Sequence, residues 1–423
     1  MNLIDRLFKG DRAIWFIIIT LSLISFIEVY SATSTTVYRD GNYLGPIIRH
    51  ASFLMVGLAL ILVIHNIPSR FLSVLIILLP ASILLLVFTL VSEAGVEVND
   101  AKRWMSLGNI SFQPSELAKL SCVVFIAFLL SRKNKYSDVQ IFWYILIGVS
   151  SVCILIFREN ISTSLILFFT CFLMMFIGGF PMKWMGALSV VLVVLGISFL
   201  VYLFYIMPDD DANNTGRLAT AKHRIENLFK KGPPLDAKTY VINNDNRQET
   251  FAKIAIANGG FGKFPGYGQQ RDTLPLAFSD FIYAIIIEEM GFITGLIVLF
   301  LYLILLIRVG IIARKCEKLF PKFLVLGCGL MIGVQALSNM AVVVGLFPVT
   351  GQPLPLVSQG GTSIIVTCFY FGMILSVSRF GAGMGNEDDE DDDDIEEDRD
   401  SDLIEFETDI SDKTPLTIVE NLT

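Results

Sequence analysis

A chain of 423 residues that is 54% hydrophobic and only 17% charged has more apolar surface than one soluble core can hide, which excludes an ordinary water-soluble enzyme. The formal charge of −8 conceals two unlike parts. From Glu387 to Thr423, 18 acidic residues stand against Arg399 and Lys413, a balance of −16, so the preceding 386 residues carry +8.

In chain order, apolar runs predict about ten membrane helices, each near the ~20 residues a bilayer requires. They fall near 13–32, 49–66, 71–92, 115–131, 141–157, 161–180, 184–207, 280–307, 321–347 and 359–379. Arg6, Lys9 and Arg12 precede the first run as in a signal peptide, but no small-residue cleavage site follows, so it reads as a retained helix. The short loops RKNK (132–135) and RVGIIARKCEKLFPK (308–322), with Arg70 and Lys183, carry most of the loop charge. By the positive-inside bias these loops and both termini are cytoplasmic. Short outer loops hold Arg39, Arg49, Lys102, Arg103 and Arg158. The fold class is therefore all-α and polytopic, with a membrane domain over 1–380 and a large extracytoplasmic loop at 208–279. The acidic segment 381–423 cannot bury enough apolar surface to fold and reads as a disordered cytoplasmic tail. Cys122, Cys153, Cys171, Cys316, Cys328 and Cys368 all lie in or beside apolar runs without metal-type spacing, and read as packing residues. Membrane lipids are expected around this body, and nucleic acid is not an expected partner.

Four outer segments are chemically unusual. In KRWMSLGNISFQPSELAK (102–119), Pro114 suits the first turn of a helix, and Glu116 and Lys119 follow one turn apart on one face. Spacing alone allows a capped helix end with a surface ion pair; Trp104 and the irregular loop before the pair favour a polar site facing inward. The long loop holds Arg217, His223 and Arg224, then RQETFAKIAIANGGFGKFPGYGQQRDTLP (247–275), which begins with a short amphipathic or re-entrant helix. Its glycines allow close backbone approach to an anion, or simply a flexible linker. In NMAVVVGLFPVTGQPLPLVSQGGTS (339–363), prolines and glycines interrupt a helix–loop–helix; such backbone is tolerated at membrane depth only when buried in protein or lining a cavity. Finally, LPLAFSDFIYAIIIEEMG (274–291) carries Asp280, Glu288 and Glu289 on an apolar run. A membrane-centre carboxylate costs roughly 2.5–3.5 kcal/mol on insertion scales. Asp280 is placed to cap a helix N-terminus. Glu288 and Glu289 are two turns deeper, beyond capping, and require a polar cavity or a buried partner.

Taken together, these segments resemble the SEDS family of membrane peptidoglycan polymerases (shape, elongation, division and sporulation proteins) over nearly all of 10–380. The carriers are Trp104 with LG at 107–108, QPSELAK (113–119), IAIANGGFGKFPGYGQQRDTLP (254–275), SDFIYAIIIEEMG (279–291) and GLFPVTGQPLPLVSQGGTS (345–363). Within the family the septal, cell-division branch is the nearest likeness, ahead of the elongation and sporulation branches.

The resemblance implies a peptidoglycan glycosyltransferase that polymerises lipid II at the outer face of the cytoplasmic membrane. The 4-hydroxyl of an acceptor GlcNAc attacks C1 of a donor MurNAc, and undecaprenyl pyrophosphate leaves. The family's catalytic aspartate falls on Asp280, as general base, and its Glu and Lys fall on Glu116 and Lys119. Lys119 and loop arginines are expected to neutralise the leaving diphosphate. Supporting or substrate-binding positions are Trp104, Glu116, Lys119, Arg217, Gln248, Ser358, Gly360 and Gly361. No cofactor is required by the pattern; a divalent cation, Mg or Mn, is compatible with the diphosphate, though no ligand set can be read. Implied partners are lipid II, a class B penicillin-binding protein that supplies transpeptidation, and other division proteins at the septum. Two departures stand out: the family's PE..TDF reads PLAFSDF, with Leu276 and Ser279 in place of an acid and a threonine, and its PD.GT reads RENIST (158–163). Two other classes stay open on sequence alone, a lipid II flippase using Glu288 and Glu289 as a headgroup path, and a non-catalytic division scaffold.

Overall fold

The computed structural model describes residues 9–40, 45–91, 95–97, 102–107, 110–206, 247–261 and 278–380, with isolated positions at 222, 225, 265, 267–270 and 274. The acidic segment 387–423, most of the long loop including Arg217, and Leu276 lie outside the described residues. The helices are α1 (Arg12–Asp40), α2 (Gly45–Ile64), α3 (Leu78–Val91, entered through a 3₁₀ segment Ser69–Ile77), α4 (Pro114–Ser131), α5 (Asp138–Glu159), α6 (Ile161–Ile177), α7 (Met182–Val201), α8 (Arg247–Gly259), α9 (Ile282–Lys315), α10 (Leu319–Val343) and α11 (Gly361–Phe380). Among the described residues nine helical stretches are long and apolar enough to cross a bilayer, and α6 is a shorter apolar helix. At 17 residues α6 sits at the lower limit for a span. This is a multi-pass helical membrane protein.

One element departs from a purely helical expectation. Between α3 and α4, β1 (Gly95–Glu97), β2 (Lys102–Leu107) and β3 (Ile110–Phe112) form an antiparallel sheet in the order β1-β2-β3. Trp104 pairs with Val96, and Leu107 with Ile110. The sheet gives Trp104 a fixed platform where a loop was expected.

The centre of the bundle is α4, α10 and α11, whose apolar windows are 78%, 72% and 78% buried, against 6% for the stretch Met182–Tyr205 at the periphery. Glycines let α10 sit this deep. A Cβ at Gly327 would stand 2.7 Å from Val123 of α4, and one at Gly333 would stand 2.6 Å from Leu306 of α9. Without a hydrophobic drive between helices in lipid, such close backbone approach is a main source of association. The cysteine reading also holds in packing terms for five of the six: Cys122, Cys153, Cys171, Cys328 and Cys368 are buried free thiols, and Cys316 is free and half-buried.

Helix α9 breaks at Gly291, whose φ of 89° and ψ of 165° are non-helical. Only glycine adopts that backbone without strain. The break frees polar backbone groups, and they are taken up locally: Phe292 N donates to Gly260 O at the end of α8 (3.2 Å), and Thr294 Oγ1 donates to Met290 O (2.9 Å). The nine residues before the break, 282–290, carry Glu288 and Glu289 and begin two positions after Asp280.

Candidate functional site

Asp280 lies in the turn that leads into α9, half-buried. The N-cap position falls on Phe281, so the capping role open to Asp280 in the sequence is not the one it occupies. Ser279 Oγ donates to Asp280 Oδ1 at 2.9 Å. The peptide is gripped as well: Asn339 Nδ2 donates to Asp280 O (2.8 Å) and to Gln352 O (2.7 Å), and Gln359 N donates to Phe278 O (2.9 Å). Gly351, at φ 66°, lies against the carboxylate; a Cβ there would stand 3.5 Å from Asp280 Oδ2.

The interrupted segment 351–359 is buried in protein, as its composition demanded. Gln352, Leu354, Leu356, Val357 and Ser358 are all buried, and Leu356 is a non-glycine residue with φ 67°. Side chains from three helices replace the missing helical bonds. Gln335 Nε2 donates to Pro353 O (3.1 Å), Tyr302 Oη to Pro355 O (2.5 Å) and Ser25 Oγ to Val357 O (2.7 Å). Ser358 Oγ accepts from Leu354 N at 2.7 Å, which turns this hydroxyl into the segment. Gln352 Nε2 donates to Thr163 Oγ1 (2.7 Å), tying the segment to the first turn of α6.

Glu116 and Lys119 are not a surface pair. Lys119 Nζ lies 2.8 Å from Glu116 Oε1 with side-chain exposures of 1% and 5%, and it also donates to Gln335 Oε1 at 2.9 Å. Gln335 and Asn339 are one turn apart on α10. One helix face therefore joins the buried ion pair, the 351–355 backbone and the Asp280 peptide.

Glu288 and Glu289 are fully buried and fully engaged. Glu289 accepts from Ser31 Oγ of α1 (2.9 and 2.7 Å) and from Gly268 N (3.3 Å). Glu288 accepts from Gln269 N (3.1 Å), Gln270 N (3.3 and 3.1 Å) and Asn258 Nδ2 (3.5 Å). They brace the glycine-rich part of the long loop onto α9.

A cavity of about 200 Å³ opens beside this assembly. Trp104, Gly360 and Gly361 line it with Arg49, His50, Phe53, Phe278, Gln359 and Ile364. Phe278 connects it to Asp280, two residues on. A Cβ on Gly361 would stand 2.9 Å from the Phe53 ring, so glycine is required by space. Arg49, assigned to an outer loop by charge counting, is in α2, which begins earlier than its apolar run, and its guanidinium lies over Phe53 at 5.9 Å. Gln248 is in α8 and does not line the cavity.

With this geometry in hand, residues 11–382 match the FTSW_RODA_SPOVE family, described as cell cycle proteins. The chain belongs to this family. A relative in Nitrosococcus halophilus named as a probable peptidoglycan glycosyltransferase FtsW is 34% identical over 78% of this chain and 81% of its own. The peptidoglycan glycosyltransferase MrdB of Escherichia coli is 28% identical over 87% and 93%. In three dimensions the chain resembles, with a TM-score of 0.67, 24% identity and coverage of 88% and 98%, a chain of a peptidoglycan synthase complex in which polymerization and crosslinking are coordinated. That likeness is one of fold.

The family's departures acquire a physical reading here. In RENIST, Asn160 accepts from Thr163 N (3.3 Å) as the N-cap of α6, and Thr163 in turn receives Gln352. The segment thus holds the site from behind. Sequence reasoning missed His50, Thr163, Gln335, Asn339 and Gln352. Gln335 and Asn339 did carry a signal, as strongly polar residues at four-residue spacing in LMIGVQALSNMAVV. Among the described residues no group of three or more His, Cys, Asp or Glu side chains could hold a metal ion.

Proposed function

We propose that this chain is a peptidoglycan glycosyltransferase that polymerises lipid II at the outer face of the bacterial cytoplasmic membrane, for septal wall synthesis. The observation that carries the reading is Asp280: a carboxylate whose peptide is fixed from α10 and whose oxygen is hydrogen-bonded by Ser279, two residues from a cavity-lining aromatic. In the proposed reaction the acceptor 4-hydroxyl forms a bond to C1 of the donor, the bond from C1 to the pyrophosphate oxygen breaks, and Asp280 takes the hydroxyl proton. Lys119, buried with its ammonium held by Glu116 and Gln335, is better suited to positioning than to contact with the diphosphate. Arg49 is the cation on the cavity wall.

The flippase alternative leaned on Glu288 and Glu289 as a polar path. Both are committed to backbone N–H groups and to Ser31, which favours the polymerase. A class B penicillin-binding protein and other division proteins are the proposed partners, with the septum as the site of action. The acidic segment 387–423 is proposed to serve recruitment, so that its removal leaves polymerisation in vitro intact. The test is reconstitution of purified protein and partner with lipid II. Glycan strands are expected; lipid transport without glycan would replace the reading with the flippase.

A further inference from the structure

The end of the bundle remote from Asp280 carries a collar of cations around the point where the chain leaves α11. From its break at Gly291, α9 runs about 25 Å to Arg308, whose guanidinium pairs with Asp11 just before α1. The segment before α1 packs on the last turns of α11: a Cβ at Gly10 would stand 3.2 Å from Leu375 O, and Trp15 Nε1 donates to Lys9 O (3.1 Å). Ser376 Oγ donates to Ile67 O (2.6 Å), and Arg379 Nη1 donates to Asn66 Oδ1. These contacts gather Lys9, Arg12, Arg70 and Arg379 about one helix end. Arg12 and Arg70 are exposed, and Lys9 and Arg379 are half-buried. Asp11, the acid among them, is already committed, with Oδ2 on Arg308 and Oδ1 accepting from Ala13 N (2.8 Å) and Ile14 N (3.2 Å). Lys9, Arg12 and Arg379 make no ion pair among the described residues. Because α11 is a central helix, with its apolar window 78% buried, its end opens in the interior of this face and not on the rim where lipid headgroups lie.

The counter-charge is in the chain itself. GAGMGN (381–386) follows α11, and EDDEDDDDIEED (387–398) then has eleven acids in twelve residues. The seven steps from Phe380 to Glu387 span at most about 25 Å, and a short glycine-rich tether holds two surfaces at an effective concentration in the millimolar range. We infer that residues 387–398 are an intramolecular ligand for this collar, folding back over the end of α11 against Lys9, Arg12, Arg70 and Arg379. The attraction joins a dense run of one sign to a cluster of the other, so it needs no shaped pocket and is screened by salt. It also constrains the proposed recruitment role of the acidic segment. A partner that takes this segment must displace the collar, and so must itself present a cationic surface.

The experiment uses the full chain, one copy per phosphatidylcholine nanodisc, and a zero-length carbodiimide that joins a carboxylate to an amine it touches. Mass spectrometry compares links from 387–398 to Lys9 with links to two exposed lysines, Lys135 in the turn after α4 and Lys183 in the first turn of α7. At low salt the Lys9 links are expected to exceed either control about tenfold, the scale on which docking raises local concentration. They should fall at least about fivefold in roughly 0.5 M salt, where screening leaves about 4 Å of reach. Arg12→Gln combined with Arg70→Gln removes two exposed charges while the lysine and the tether stay, and should cut the Lys9 links about fivefold, the upper worth of one exposed ion pair. Links that ignore salt or survive the double variant would mean tethering alone, and links spread evenly over the three lysines would mean unspecific attraction; each overturns the inference. If the double variant inserts poorly, the salt series on the unaltered chain decides. Discs containing phosphatidylglycerol test the other claimant: the Lys9 links should persist there, and their loss would give the collar to lipid headgroups. Glycan synthesis is no part of the readout, so the inference stands or falls apart from the polymerase reading.

Discussion

Asp280 and the Glu288–Glu289 pair lie within ten residues of one another on one stretch of chain, and the protein treats them oppositely. The two glutamates are fully buried, and their oxygens accept from backbone N–H groups of 268–270, from Asn258 and from Ser31. Asp280 stays half-buried, its carboxylate touched by the Ser279 hydroxyl, while the strong grip is on its peptide carbonyl through Asn339. A carboxylate that holds structure is saturated with donors. The one proposed to react is fixed by its backbone and stays half-buried.

The comparison is broken most directly at Asp280. Asp280→Asn keeps the size of the side chain and can still accept from Ser279, but it lacks the basicity. Glycan synthesis from lipid II is expected to fall by roughly 10²–10⁴-fold, with the melting temperature nearly unchanged. Synthesis within about tenfold of wild type would place the base elsewhere. Lys119→Met tests the saturated class. It strands the Glu116 carboxylate at 5% exposure, and loss of one partner of a buried pair costs about 3–5 kcal/mol. Glu116→Gln combined with Lys119→Met removes both charges and should recover most of that loss in thermal denaturation. If the double variant is as unstable as the single one, the pair is not what stabilises α4 against α10.

Between these extremes, Asn339→Leu cuts the link without touching a carboxylate. It orphans the carbonyls of Asp280 and Gln352, at about 1–3 kcal/mol of stability. Because the turn before α9 then loses its anchor, kcat should drop while lipid II binding persists. A loss confined to binding would mean that Asn339 shapes the cavity instead of the Asp280 turn.

How much of this was legible beforehand follows from the range of each interaction. The spans were legible because a bilayer demands apolar runs near twenty residues, and most observed helices begin and end near those runs; α1 runs on to Asp40 and α9 to Lys315, so the basic segment read as a loop from Arg308 begins as helix. The Glu116–Lys119 contact was legible as i,i+3 spacing, but its burial was not, since that depends on Gln335 arriving from more than two hundred residues away. The same holds for Asn339. Its polarity in an apolar helix is visible in the sequence, whereas its acceptors are backbone carbonyls, which no side-chain pattern marks. The strands around Trp104 were hidden for another reason: β1 and β3 have three residues each, too short for alternation to rise above a loop reading.

The smallest and most discriminating test concerns Glu28, a carboxylate the rule does not obviously cover. It is fully buried on α1, one turn before Ser31, and neither of its oxygens has a hydrogen-bond partner among the described residues. Ser31 turns its hydroxyl to Glu289, so Glu28 stands beside the brace without sharing its donors. If saturation is what makes a buried carboxylate stabilising, Glu28 contributes nothing to the fold and costs the desolvation of an unmet acceptor. Glu28→Met replaces it with an apolar chain of similar length, and the melting temperature should rise by the equivalent of about 1–3 kcal/mol. Polymerisation should be unchanged, because Glu28 neighbours the brace and not the cavity wall. The contrasting substitution, Glu289→Met, removes a comparable volume but takes away the acceptor of Ser31 Oγ and Gly268 N, and should lower stability instead. Opposite signs for two buried glutamates on facing helices would establish donor saturation, and not burial, as the property that separates them; a loss of stability in both would end the distinction.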